Sequence, residues 1–173
     1  MKLKLLLASL LTTLSLSALT VGEIPKPITI SGEKGGNVKD DSAWNSNSLQ
    51  GKVSVVFYVD PDEKDVNEHF SKALHKKEYR KRGPFQSLAI INLAATWKPN
   101  FVIEKILASK QKEFAKTIYV KDKASVLVKE WALDDDASDV ILFDKNGKVL
   151  FYKSGKMSDA DSEKIYKLIE ENL

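Results

Sequence analysis

Acidic side chains fall in two tight runs. Asp60, Asp62, Glu63 and Asp65 crowd one stretch, and Asp134, Asp135, Asp136 and Asp139 crowd another. Carboxylates at that density suit a hard divalent cation such as Ca²⁺, which takes about six to eight oxygen ligands. They equally suit a docking surface for a basic partner, or two solvated loops steadied by a helix N-terminus. Asp60-Pro61-Asp62-Glu63-Lys64-Asp65 is not an EF-hand loop, because Lys64 stands where a ligand belongs and the glycine is missing. Paired carboxylates also perform acid–base chemistry, so a cation-assisted carboxylate enzyme is the alternative reading. Other chemistries are thin. The chain has no cysteine, which removes a thiol nucleophile, a disulfide framework, a CxxC pair, a thiolate zinc site and a lipid-modified N-terminal Cys. His69 and His75 are six apart, about 240° around a helix, too far round to share one metal. No GxSxG, HExxH, P-loop or GxGxxG pattern is present.

The tryptophans divide. Trp131 falls on an apolar stripe and belongs in a core, whereas Trp44 and Trp97 sit in polar stretches. Each of those two is either a lid packed over a sheet edge or part of a recognition surface. Positive charge gathers elsewhere. Residues 75–82 (HKKEYRKR) carry five cations against one anion, and residues 98–123 carry seven lysines against three acids. A helix C-terminus favours such cations, which accounts for the first run as a solvated helix end, with contact to anionic lipid or nucleic acid as the alternative. Only Tyr79 interrupts that run, so it lacks the interleaved aromatics of a single-strand nucleic-acid surface.

The elements that must carry these residues follow from periodicity. Val53–Val59 is a β-branched apolar run, read as a central strand buried on both faces. Val66, Phe70, Ala73 and Leu74 form a helical stripe ended by Gly83-Pro84. Ser87–Ala94 is a second buried strand. Ile103, Ile106, Leu107 and Phe114 mark a second helix, Thr117–Val120 a third strand, and Ala124, Leu127, Val128 and Trp131 a short helix. Asp139–Phe143 and Lys148–Tyr152 flank Asp144-Lys145-Asn146-Gly147, an antiparallel hairpin. Ser158 caps a last helix with Asp161 three residues on. Upstream, Ile28-Thr29-Ile30 reads as a short strand, with Gly35-Gly36-Asn37 as the turn of an N-terminal hairpin. The order describes an α/β domain whose mixed sheet has helices on both faces. The chain's 173 residues suffice for one domain.

The first twenty residues read as an address. Lys2 and Lys4 precede an apolar run, Leu5–Leu16, and Ser15-Leu16-Ser17 offers small residues for cleavage near 17–20. That run is shorter than the ~20 apolar residues a spanning helix needs, and no later stretch is apolar enough to span. Removing residues 1–20 leaves 21–173 as a single domain with net charge near +1, against +3 for the whole chain. Such a charge advertises neither nucleic acid nor an anionic membrane. A periplasmic location is expected, with no membrane span after cleavage, and a Cys-free chain suits an oxidising compartment.

Two stretches bring a family into view. Leu49-Gln50-Gly51-Lys52-Val53 through Tyr58 resembles the first central strand of exported thioredoxin-like proteins, and Val140–Val149 resembles their terminal hairpin. More narrowly, Trp44-Asn45-Ser46 with Leu49 and Gly51-Lys52-Val53, then Trp131-Ala132-Leu133-Asp134-Asp135 with Ser138, then Asp144-Lys145-Asn146-Gly147, resemble the YtfJ family across residues 22–173. The resemblance implies a thioredoxin-like mixed sheet with flanking helices and an N-terminal β-hairpin extension, a signal peptide and no established activity. It also carries a transcriptional-regulator label, which export argues against. Redox members of the fold place CxxC at the start of the helix after the first central strand, where Glu63-Lys64-Asp65-Val66 stands here. They place a cis-proline where this chain has Ser138-Asp139. In that fold the two acidic loops bracket one place, so up to eight carboxylates could face a small region. The expectation is an exported, non-redox binding module for a protein, peptide or ion. No cofactor is expected beyond a possible divalent cation.

Overall fold

The structure is a computed structural model that describes residues 18–173. Most of the expected signal segment lies outside the described residues. Among the described residues no helix is long and apolar enough to cross a membrane.

Strand β4 (Val53–Val59) lies at the centre of a six-stranded sheet, as its apolar run, broken only by Ser54, requires. It pairs in parallel with β5 (Phe85–Asn92) and antiparallel with β7 (Ser138–Phe143). Outward on one side lie β6 (Ile118–Asp122), parallel to β5, and β2 (Gly35–Asn37), antiparallel to β6. On the other side β8 (Val149–Lys153) closes the terminal hairpin. There Gly147 alone takes a positive φ, +81°, while the Asp144 carboxylate accepts from the Asn146 and Lys148 amides at 2.8 Å each. Asp144 thus ties the turn from within.

Alternation along the strands sends side chains to two cores. On one face α3 (Val126–Trp131) brings Leu127 and Trp131 against Tyr58, Leu88, Ile141 and Phe143. On the other, α1 (Glu68–Lys76) and α4 (Asp159–Asn172) bring Phe70, Leu74, Ile165 and Ile169 against Val53, Val55, Val140 and Leu142. Ser158 and Asp161 form the reciprocal capping box at the start of α4, worth about 1 kcal/mol. Helix α2 (Asn100–Glu113) rests on a smaller cluster, Ile103 and Leu107 against Leu93 with Val38, Ile91 and Tyr119.

Three local expectations are corrected. An antiparallel pair does form upstream, β1 (Thr29–Ile30) with β3 (Trp44–Asn45), but Gly35-Gly36-Asn37 is not its turn. Those residues are β2 itself. A Cβ on Gly35 would sit 2.0 Å from the Lys121 carbonyl oxygen, and its φ is +121°, so only glycine lets the backbone lie this close to β6. Trp44 is 2% exposed and packs into the α3-side core, so it is no recognition surface. Ile106 does not belong to the buried stripe of α2: it is 51% exposed, while Ile103 and Leu107 face the sheet.

Candidate functional site

Parallel pairing of β4, β5 and β6 brings their C-terminal ends to one end of the sheet, and the antiparallel β7 starts there. The segments after β4, β5 and β6 and the segment before β7 therefore crowd together. The Asp60 amide donates to the Ala137 carbonyl at 2.9 Å, joining the two acidic loops directly.

Each acid has its own situation. Asp60 is buried, and its carboxylate accepts from the Asp62 amide at 2.8 Å. Burial pushes its carboxyl above the usual range; that amide opposes the rise, and the charges of Asp62, Asp136 and Glu63 add to it. Asp62 accepts from the Thr96 hydroxyl at 2.7 Å and from the Lys98 ammonium, and these bonds hold it below the usual range. Asp65 pairs with Lys64 on the surface, and Glu63 and Asp136 are exposed. Asp134 accepts from the Ser154 hydroxyl. Asp135 accepts from the Asn92 amide nitrogen at 2.7 Å.

Asp139 differs from all of them. It is wholly buried in β7, and neither carboxylate oxygen has a hydrogen-bond partner. Burial pushes its carboxyl up to about 7 and the Asp134 charge adds to that; the Ser154 hydroxyl and the Asp134 amide lie near enough to soften the rise without reaching bonding geometry. Its charge, with that of Asp134, in turn helps burial push the Tyr152 phenol up to about 12.

The eight acids share one end of the sheet but do not converge on a point. Each of Asp62, Asp65, Asp134 and Asp135 is turned to a hydroxyl, ammonium or amide of its own. Among the described residues no group of three or more histidines and acids is arranged to hold a metal ion. Residues Glu63–Val66 form a stretch of loop before α1. No cis peptide occurs among the described residues, Ser138 included.

Sequence reasoning missed the residues that tie this end together. Asn92, fully buried, closes β5: its oxygen accepts from the Ser125 hydroxyl at 3.0 Å and the Ala94 amide at 3.2 Å while its nitrogen donates to Asp135. Asn67 precedes α1, donates to the Ser138 and Gly155 carbonyls at 3.0 Å each, and accepts from the Met157 amide at 2.8 Å. Asp122 ends β6 and accepts from the Tyr58 hydroxyl, the Ala124 amide and the Leu127 amide at 3.1–3.2 Å. Their one shared sequence signal is a polar residue at, or close after, the end of an apolar run. Trp97 stands on the loop between Thr96 and Lys98, both bound to Asp62, and is 85% exposed.

Comparison with known proteins fits this frame. The family described as "Bacterial protein of unknown function (YtfJ_HI0045)" matches residues 30–172. The chain belongs to the YtfJ family. A protein of Haemophilus influenzae called "Uncharacterized protein" is 31% identical over 130 residues, covering 73% of this chain and 70% of that one. "Uncharacterized protein YtfJ" of Escherichia coli is 26% identical over 133 residues, covering 75% and 72%. Among solved structures, the thioredoxin domain of a thiol-disulfide oxidoreductase from Bacteroides vulgatus superimposes with a TM-score of 0.61 at 13% identity, over 88% of this chain and 99% of that one. That likeness shows the fold: this YtfJ-family chain is thioredoxin-like, without cysteine.

Proposed function

We propose that this chain is an exported, non-catalytic binding module that holds a basic protein or peptide against the acidic end of its sheet. The observation that carries the reading is Trp97. A large apolar ring 85% in water costs free energy unless a partner covers it, and its loop is fixed by Thr96 and Lys98 on Asp62. Exposed Glu63, Asp65 and Asp136 lie at the same end, a negative field for a cationic partner. Fixing the loop in advance lowers the ordering cost of binding. Export rests on the sequence pattern of residues 1–20.

A photo-cross-linking residue at position 97, in cells, tests the binding reading. Discrete adducts are expected in the envelope, and they should fade when Glu63→Gln, Asp65→Asn and Asp136→Asn are combined. Adducts no stronger than from a cross-linker at Lys148, away from this end, would refute it. Intact mass of the periplasmic form should begin between residues 18 and 21; a full-length cytoplasmic species would refute export.

A further inference from the structure

Helix α2 is apolar on two sides, and its packing on the sheet explains only one. Ile103 and Leu107 are 6% and 5% exposed, against the sheet. Phe101, Val102 and Ile106 are 73%, 38% and 51% exposed. At 100° per residue they occupy an arc of about 140° whose centre is turned about 150° from the buried pair. Lys105 falls within that arc and Lys112 extends it along the helix.

The unpaired charge along this helix has one sign. Both glutamates of α2 are already paired, Glu104 with Lys123 and Glu113 with Lys110. Lys105, Lys112 and Lys116 have no ion-pair partner among the described residues. At the far end of the helix the Phe114 ring lies 6.3 Å from that of His75. That contact sets the end of α1 against the end of α2.

We infer that the outer face of α2 docks on an anionic phospholipid bilayer. Phe101, Val102 and Ile106 reach the acyl boundary, while Lys105, Lys112 and Lys116 run their methylene stems alongside and set their ammonium groups among the phosphates. Trp97, at the edge of the face, meets the interface. A second copy of the chain fits less well, since two such faces repel. Four side chains also cover far less than the ~800 Å² per partner of a stable dimer. Trp97 is shared with the acidic end, so the two readings compete for that ring, whereas Phe101, Val102, Ile106 and the three lysines belong to this inference alone.

Flotation with vesicles tests it, using protein purified from cells with its N-terminus read by mass. Binding to phosphatidylcholine vesicles containing about 30 mol% phosphatidylglycerol should exceed binding to phosphatidylcholine alone by about tenfold and fall at high salt. Trp97 is the exposed tryptophan beside buried Trp44 and Trp131, so emission should shift to the blue on binding. Phe101→Ser with Ile106→Ser should reduce binding to the phosphatidylcholine level with Tm unchanged, and Lys105→Glu with Lys112→Glu should do the same. Lys148→Glu with Lys156→Glu, the same charge change elsewhere, should retain most of it. Equal binding to both vesicles, equal loss in the Lys148/Lys156 variant, or concentration-dependent self-association abolished by the serine variant would each overturn the inference.

Discussion

The acidic end of the sheet and the outer face of α2 adjoin at Trp97 and are built in opposite ways. At the acidic end side chains are engaged: Asp62 with Thr96 and Lys98, Asp134 with Ser154, and Asp135 with an asparagine itself saturated by Ser125 and Ala94. On α2, apolar side chains stand in water and three lysines are unpaired. The difference separates preorganisation from unfinished burial. The first region has spent much of its hydrogen-bonding capacity on fixing its own shape, leaving Glu63 and Asp136 free among the described residues, and the second keeps its apolar area and charge for something outside the chain.

The comparison breaks most readily at Asp139, beneath the acidic end. Its carboxyl titrates at about 7 in the folded chain against the ordinary 3.8. Between those values the unfolded chain has released its proton and the folded chain still holds it. The stability Asp139 contributes should therefore be full below about pH 4, fall by up to about 4 kcal/mol as pH rises to about 7, and then level off. Asp139→Asn should remove most of that slope in denaturant midpoints measured across pH. The same pH dependence in the wild-type chain and in Asp139→Asn would mean the end does not rest on a neutral buried carboxyl.

The two sides of α2 give the next largest contrast. Leu107→Ala should cost about 3 kcal/mol and Phe101→Ser less than about 0.5, both read by urea unfolding. Similar costs for the two would show that the outer face is covered within the chain. At the acidic end Asn92→Ala should cost about 2 kcal/mol by stranding Asp135, Ser125 and the Ala94 amide, whereas Trp97→Ala should stay within about 0.5. Smallest of all is calcium. With Asp62, Asp65, Asp134 and Asp135 each turned to its own partner, millimolar Ca²⁺ should move Tm by less than about 1 °C; a rise of several degrees, lost in Asp134→Asn with Asp135→Asn, would restore a shared cation site.

Much of the frame was legible because it depends on local pattern. β4 announced itself by seven successive strand-forming residues, and the α4 cap by Ser158 and Asp161 at capping-box spacing. What escaped depends on partners far along the chain. β2 is two glycines and an asparagine, residues with poor strand propensity, paired with residues some eighty positions later. The helical period found α2 but did not say which of its apolar sides meets the sheet. Trp44 sits among polar neighbours in sequence, yet its strand pairing with Ile30 turns it inward. The acids were visible as two groups. Their division among Thr96, Asn92 and Ser154 was not, since each of those is at least twenty positions from the acid it binds.

The position of β2 also orders events in time. It precedes the central strand in the chain, but its partner is β6, which ends at Asp122. A chain emerging N-terminus first can pair β4 with β5 while residues 29–49 still wait, because the edge they close does not yet exist. The rim of the sheet is sealed by the oldest part of the chain, late. Until then β6 offers an open ladder to any extended segment nearby, and the two glycines make the eventual seal too narrow for a bulkier strand to imitate.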